Sequence, residues 1–520
     1  MKTTFNIANL FLIIFATIFT LIASFKHQGN LFYYLIFSLI INLLLIYSLN
    51  IKRLFFETYF AAFIWLGFWF KYTFSLIFFD GIVYDSGPPS NLKNIDKALI
   101  ASIVAITAVF LSYIIRQKFI EIKKYKEKTK SLFEKIYLEN KKIVILLFII
   151  VFSSIAILNF NLNIYQKGFV YEHNMPFIFV NFIKWMLLFG LTTFSTFFIY
   201  TEILRNKKIP TLISIIIFLE IFMSYTSMLS RAAIFNLSSI AYSFTKYLNI
   251  IRGKLKFFSG IIFLILVMFL VNNYSSNYYR INYAIEIEKY VINQSKLNNE
   301  NIEKNKIQSK VLNDLETKPE PKTKLESNNE NDENNVVQFK VSHDPTVKPD
   351  PINMSSFVII NRWSGIDSMI AVVSSKKIGF DLFFESLKER KILDNKPFYE
   401  TTFNIDFDGG KTIFFGEKRV LKGNTLPGII SFLFYTGNYY FLFVIIFFLT
   451  LIFSCLEILT TKISNNNMIY ASFISYMVAF RLSNFGYAPS DSYLFIISIM
   501  GSMVLMLILS NYKLLSFSLK

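Results

Sequence analysis

Long apolar runs dominate the chain, and one long polar insert, residues 274–429, interrupts them. A helix that crosses a bilayer needs about 20 predominantly apolar residues. The stretches close to that length predict about twelve transmembrane helices, nine before residue 274 and three after residue 426. Their expected bounds are 5–24, 31–48, 54–79, 97–116, 142–159, 177–201, 209–228, 232–249, 256–273, 430–456, 467–485 and 491–511.

The pattern therefore predicts an all-α polytopic membrane protein with three regions. Residues 1–273 form a bundle of helices 1–9, residues 274–429 form one large loop between helices 9 and 10, and residues 430–520 form helices 10–12. The first run, 5–24, is too long for a signal-peptide core and lacks a cleavage pattern of small residues. We expect it to be a retained first helix.

Lys and Arg are concentrated in alternate loops, at 51–53, 116–142, 205–208 and 251–256. Short loops with this excess usually face the cytoplasm. We therefore expect both termini in the cytoplasm and the large loop 274–429 on the extracytoplasmic side.

The large loop changes character along its length. Residues 290–352 are rich in Asn, Lys, Glu and Pro and poor in aromatic residues, a composition typical of disordered chain. Residues 355–392 mix apolar and polar positions, with breaks at Gly365 and Gly379. They predict one or two short helices that lie on the membrane surface or dip into it.

Composition agrees with membrane residence, because 54% of the residues are hydrophobic and only 17% are charged. The net charge of +18 lies largely in short loops beside the apolar runs, so we expect no nucleic-acid partner. The one cysteine, Cys455, excludes a disulfide within the chain. No Walker-type phosphate loop is present, which argues against an ATP-driven pump.

Four arginines lie near the predicted outer side of the membrane: Arg231, Arg280, Arg362 and Arg481. A guanidinium group stays charged and binds phosphate oxygens with a planar pair of donors. Together the four side chains suit a pyrophosphate group. The alternative for each is an interface anchor whose charge reaches the headgroups.

Acid–base chemistry has fewer candidates. Glu172 and His173 are adjacent on a predicted outer loop and could supply a general base. The three histidines form no cluster, and no paired His–Asp spacing is present. We therefore predict neither a metal site nor a cofactor.

Three segments resemble motifs of bacterial O-antigen polymerases and the related O-antigen ligases. SRAAIF at 230–235 is similar to their Ser-Arg turn between two helices. NRWSGID at 361–367 resembles their second arginine segment, in the large outer loop. TLPGIISFLFYTGNYY at 425–440 is similar to the glycine-containing start of the helix that follows that loop.

The resemblance implies a metal-independent glycosyltransferase of the bacterial cytoplasmic membrane. It would polymerise undecaprenyl-pyrophosphate-linked oligosaccharide repeat units of an O-antigen or capsule on the outer side. Arg231 and Arg362, helped by Arg280 and Arg481, would hold the pyrophosphate leaving group. Asp367 joins Glu172 and His173 as a candidate base. A flippase and a chain-length regulator would be partner proteins.

Other readings of the sequence remain open. The ligases use a histidine in the outer loop, and the stretch after Arg362 has none, which favours a polymerase. A flippase for lipid-linked glycans can also have about twelve spans, but often shows internal repeats. Glycosyltransferases that use polyprenyl-phosphate sugars commonly carry an acidic pair in the first outer loop, here FKHQGN at 25–30. A non-enzymatic membrane protein is the remaining alternative.

The charge asymmetry of the loops gives a topology test. Reporter fusions placed after Lys130 and after Glu330 should report opposite sides of the membrane, with Lys130 in the cytoplasm. A result that places both positions on the same side would contradict the predicted topology.

Overall fold

A computed structural model describes most of the apolar segments. The described residues are 7–49, 53–83, 86–87, 89–120, 131–166, 175–230, 232–244, 260–275, 278–279, 363–389, 398–403, 405, 414–415, 418–419, 426–485 and 489–510. They belong to two compact units, 1–277 with 359–520, and 278–358. In the second unit the structure describes Tyr278 and Tyr279, whose ring centroids lie 5.5 Å apart. The helices and strands of the described residues belong to the first unit.

The first unit is built from helices. Those of the first half are α1 (Ile7–Ser24), α2 (Leu31–Ser48), α3 (Phe55–Phe78), α4 (Ile95–Phe119), α5 (Leu132–Glu139), α6 (Lys141–Asn161), α7 (Phe177–Asn206), α8 (Thr211–Ser227), α9 (Ala233–Ser243) and α10 (Gly260–Ser275). Those of the second half are α11 (Ile366–Ser374), α12 (Phe380–Ser386), α13 (Phe398–Thr402), α14 (Gly428–Leu433), α15 (Tyr439–Ile463), α16 (Met468–Ser483) and α17 (Pro489–Ser510). Two short strands, β1 (Phe414–Phe415) and β2 (Lys418–Arg419), pair antiparallel.

Length and composition confirm a membrane protein. Among the described helices, six are long and apolar enough to cross a membrane: Leu31–Ser48, Phe55–Phe78, Ser90–Phe119, Lys141–Asn161, Phe177–Asn206 and Tyr439–Ile463. Five further helices offer shorter apolar stretches of 10–17 residues: Asn9–Ser24 of α1, Thr211–Ser227, Gly260–Ser275, Met468–Ser483 and Leu494–Ser510 of α17. Twelve crossings remain a prediction.

Helix α3 lies at the centre of the bundle. In its most apolar window 72% of the residues are buried, against 28% for α6 and for α15. It packs against α2, α15 and α16. Its middle, Trp65–Phe70, is a π-helical segment, and a similar segment, Met186–Gly190, interrupts α7. Such wider turns are frequent at functional sites.

A buried ion pair fixes α3 against α4. The Arg116 guanidinium donates from Nε to Glu57 Oε1 over 2.7 Å and from Nη2 to Oε2 over 2.6 Å. Glu57 is fully buried and Arg116 is 3% exposed. The sequence places Arg116 at the boundary between the predicted helix 97–116 and the loop 116–142; α4 continues to Phe119, and Arg116 lies in its last turn.

The N-terminus of α3 is capped by another helix. Glu457 of α15 accepts hydrogen bonds from the backbone N–H groups of Phe55 and Phe56, over 2.9 and 2.6 Å. It also accepts one from the Ser475 hydroxyl of α16, over 2.9 Å. The first N–H groups of a helix have no partner within the helix, and they attract negative charge. Glu457 therefore joins three helices at one point.

The predicted tenth helix, 430–456, is divided in two. Helix α14 continues as the 3₁₀ turn Phe434–Thr436, and Gly437 then takes a left-handed conformation with φ of 66°. Glycine adopts this conformation at little cost and commonly ends helices. Helix α15 begins afresh at Tyr439, where the Asn438 side chain accepts from Phe441 N over 3.0 Å.

The two short helices expected within 355–392 are present as α11 and α12. However, α11 lies inside the bundle and packs on α4, and all of its residues except Ser374 are buried. Its sequence, IDSMIAVVS, is apolar around most of its circumference, so it has no face suited to a membrane surface. In α12, Leu382 and Phe383 are buried while Phe384 is 56% exposed, and its place at the membrane surface remains a prediction.

The buried Glu57–Arg116 pair leads to a prediction about the free energy of unfolding. Glu57→Gln or Arg116→Met should each lower the free energy of unfolding by about 3–5 kcal/mol, because each leaves one buried charge unpaired. The double variant should be much less destabilised than the sum of the two. Unfolding of the detergent-solubilised variants measures this; simple additivity would contradict a coupled buried pair.

Candidate functional site

Four aromatic side chains from separate segments meet at one place, here called the aromatic junction. It consists of Phe63 of α3, Phe235 of α9, Trp363 of the large loop and Phe480 of α16. The Trp363 ring lies 5.2 Å from that of Phe235 and 5.9 Å from that of Phe63, measured between centroids. Phe480 lies 5.8 Å from Phe63 and 6.5 Å from Phe235.

The junction lies next to three of the predicted arginines along the chain. In the sequence, Phe235 follows Arg231 by four residues, Trp363 directly follows Arg362, and Phe480 directly precedes Arg481. Arg231 and Arg362 themselves lie outside the described residues. Their described neighbours Phe235 and Trp363 are in ring contact with each other.

Arg481 is the member of the four arginines that lies within the described residues. It is partly exposed, and its guanidinium carbon lies 5.8 Å from the centroid of the Phe495 ring. This distance is compatible with a cation–π contact. Arg280, Glu172 and His173 lie outside the described residues.

Asp367 is held in a second buried ion pair. Lys71 Nζ of α3 lies 2.9 Å from Asp367 Oδ2, and the two side chains are 0% and 7% exposed. Asp367 Oδ1 accepts a hydrogen bond from Gly365 N over 2.9 Å. Both carboxylate oxygens are thus engaged. This arrangement suits a residue that holds the loop in place better than a base that must accept a proton from a hydroxyl group.

Lys71 also holds the chain beside Arg362 directly. Its ammonium group donates to the Trp363 carbonyl oxygen over 3.2 Å. One fully buried lysine therefore contacts the loop at two points, residues 363 and 367. An unpaired lysine inside a membrane helix is costly, and these two acceptors compensate its charge.

The same loop touches α3 through backbone atoms. A Cβ atom added to Gly67, in the π-helical segment, would lie 2.2 Å from Ser364 O. A Cβ atom added to Gly365 would lie 2.2 Å from Gly67 O. No side chain fits between these backbones, so glycine is required at both positions for the loop to reach Lys71.

The third resembling segment, 425–440, joins the site through hydroxyl groups. The Ser368 hydroxyl of α11 lies 2.7 Å from Pro427 O and 2.9 Å from the Ser431 hydroxyl. Gly428 N donates to Phe485 O over 2.7 Å, beyond the end of α16. The segments 230–235, 361–367 and 425–440 are therefore assembled around α3, as far as the structure describes them.

A small cleft, with room for about one water molecule, lies between α3, Ser364, the segment 427–430 and Ser483. It is lined by Phe60, Phe63, Ile64, Phe68, Ser364, Pro427, Gly428, Ile429, Ile430 and Ser483. Its walls are mainly apolar, so a charge placed there would be weakly screened by solvent.

Lys71 and Gly67 were not predicted as site residues. Lys71 carried a usable signal, because a charge inside a predicted membrane helix is rare and is a functional candidate by default. Gly67 carried no such signal, because a glycine within a predicted helix does not reveal which backbone packs against it. Among the described residues, no three His, Cys, Asp or Glu side chains come together in a metal-binding group.

No protein-family model, no curated protein and no solved structure matches this chain. Its function must therefore be inferred from the geometry of the site and from the sequence motifs.

The glycine contact gives a test of how the loop is docked. Gly67→Ala should destabilise the protein by about 1–3 kcal/mol, because the new methyl group collides with the Ser364 backbone. Gly501→Ala in α17 is the matched control: its Cβ would meet Trp185 at 3.4 Å, an ordinary contact. It should be neutral or stabilising by up to about 1 kcal/mol. Melting temperatures in detergent that fall equally for both variants would contradict the close approach.

Proposed function

We propose that this chain is a membrane-embedded, metal-independent glycosyltransferase that polymerises undecaprenyl-pyrophosphate-linked oligosaccharide repeat units. It would act in O-antigen or capsule synthesis, on the outer side of the bacterial cytoplasmic membrane. The observation that supports this most is the aromatic junction, because it draws together the chain segments that carry Arg231, Arg362 and Arg481.

The proposed reaction is the transfer of a glycan from pyrophosphate to a sugar hydroxyl. The acceptor oxygen forms a bond to the anomeric carbon, while the bond from that carbon to the pyrophosphate oxygen breaks. Negative charge grows on the leaving oxygen, and fixed guanidinium groups stabilise it without a metal ion. The acceptor proton passes to a base. Glu172, His173 and Asp367 are the candidates for this base; the ion pair with Lys71 and the hydrogen bond from Gly365 N make Asp367 the less available of the three.

In this proposal Lys71 and Asp367 are positioning residues. They fix the backbone immediately after Arg362, at Trp363 and Gly365. Preorganised charges act without the reorganisation that would otherwise oppose the reaction. The low-polarity walls of the cleft strengthen their effect.

The proposal includes the finer topology. Twelve crossings with both termini in the cytoplasm would place the large loop 274–429 and the candidate site on the outer side. Support comes from the Lys and Arg excess in alternate loops. Partner proteins would be a flippase that delivers the lipid-linked repeat and a regulator of chain length.

Arginine variants test the proposed function in cells that depend on this gene product. Arg231→Ala and Arg362→Ala should each slow transfer by about two to three orders of magnitude, so that a lipid-linked single repeat accumulates while polymer disappears. Arg231→Lys should not restore polymer, because lysine offers a point charge and not a planar pair of donors. Glycan length profiles measure the outcome, with membrane levels of each variant checked.

Arg205→Ala is the matched control, since Arg205 is exposed in the last turn of α7. It should leave the polymer unchanged. The side on which the single repeat accumulates separates two functions: the outer side fits a polymerase, and the cytoplasmic side would fit a flippase. Normal polymer length and amount in all three site variants would refute the pyrophosphate clamp.

A further inference from the structure

The four tryptophans of the chain differ in how their indole N–H groups are paired. Trp65 donates to Asn42 Oδ1 over 2.7 Å, Trp69 to Thr20 Oγ1 over 3.2 Å, and Trp185 to Ser498 O over 3.1 Å. Trp363 Nε1 is buried and has no hydrogen-bond partner within the described part of the chain. It is also the tryptophan of the aromatic junction.

An unpaired buried donor is unusual and calls for an explanation. The great majority of buried polar groups form a hydrogen bond, and leaving one unmade is unfavourable. An indole N–H can only donate, so its partner must be an acceptor atom. A donor kept unpaired inside a site is often kept for a ligand.

The surroundings of Trp363 favour an anionic acceptor. Its ring packs against Phe63 and Phe235, so the local environment is apolar and a hydrogen bond to a charged oxygen is strengthened. In the sequence it directly follows Arg362, which the proposed function assigns to the pyrophosphate. Its carbonyl oxygen is held by Lys71 Nζ at 3.2 Å, which limits movement of the residue.

We propose that Trp363 determines substrate specificity by donating a hydrogen bond from Nε1 to a pyrophosphate oxygen of the lipid-linked substrate. This inference rests on the proposed function and extends it. Arg362 supplies charge for the pyrophosphate, and the indole supplies a directional donor from an apolar wall. The pair would favour a pyrophosphate over a neutral headgroup.

The inference predicts opposite effects on stability and on binding. Trp363→Phe keeps an aromatic ring and removes an unpaired donor, so the melting temperature in detergent should stay the same or rise. Trp185→Phe removes a donor that is paired with Ser498 O, so its melting temperature should fall. A merely structural role for the Trp363 indole would make the first variant behave like the second.

Binding is measured on the detergent-solubilised full chain with undecaprenyl pyrophosphate as the probe. Fluorotryptophan labelling gives one fluorine NMR signal per tryptophan, and the Trp→Phe variants assign them. The Trp363 signal should move most on titration. Trp363→Phe should weaken binding by about 10- to 100-fold, the usual range for a hydrogen bond to a charged group. Trp185→Phe should bind as the wild type does.

The binding experiment distinguishes a failure of the Trp363 inference from a failure of the proposed function. If Trp363→Phe binds undecaprenyl pyrophosphate as tightly as wild type, or if the Trp363 signal does not move on binding, the inference is overturned while the polymerase proposal stands on Arg231 and Arg362. If the wild type fails to bind undecaprenyl pyrophosphate at all, both fall. A water molecule as the sole partner of the indole would appear as the first of these results.

Discussion

The ion pair between Lys71 and Asp367 is the interaction on which the candidate site depends. Two opposite charges in an apolar interior are stable only when they are paired, so α3 and the end of the large loop must dock together. The same ammonium group holds the carbonyl oxygen of Trp363. One lysine thereby fixes the start of α11, one ring of the aromatic junction and the chain beside Arg362. Removing it would release all three.

The rest of the bundle follows a similar rule. Apolar helices in lipid gain little from hydrophobic association with each other, so polar contacts and close packing select their neighbours. The ion pair of Arg116 with Glu57 holds α4 against α3. The hydrogen bonds of Glu457 hold the start of α3 against α15 and α16. The Ser368 hydroxyl joins α11 to the segment that begins at Pro427. These contacts are few, directional and buried, which suits a scaffold that must hold charged side chains at fixed positions.

The sequence predicts the positions of the helices well, because apolar runs report burial in lipid. It does not predict the backbone conformation of a single residue, or an ion pair between residues that are far apart in the sequence. Gly437 divides the predicted tenth helix, although it lies within an apolar run. Asp367 remains a predicted candidate base, but its ion pair with Lys71, which is far away in sequence, was not foreseen. Trp363 had no signal at all, since hydrogen-bond pairing among tryptophans is a property of the packed structure. The proposed roles of five residues remain predictions: Arg231, Arg362, Arg280, Glu172 and His173.

The π-helical segment of α3 has a consequence for the direction in which side chains point. A wider turn accommodates one extra residue, and in a regular α-helix one residue corresponds to a rotation of about 100° around the axis. The segment Trp65–Phe70 lies between Glu57 and Lys71, so it sets the angle between the two charges of α3. One helix can then offer an anion to α4 and a cation to the large loop. The wide turn thus sets the directions of Glu57 and Lys71 around the axis of α3, so that this one helix can contact both α4 and the large loop.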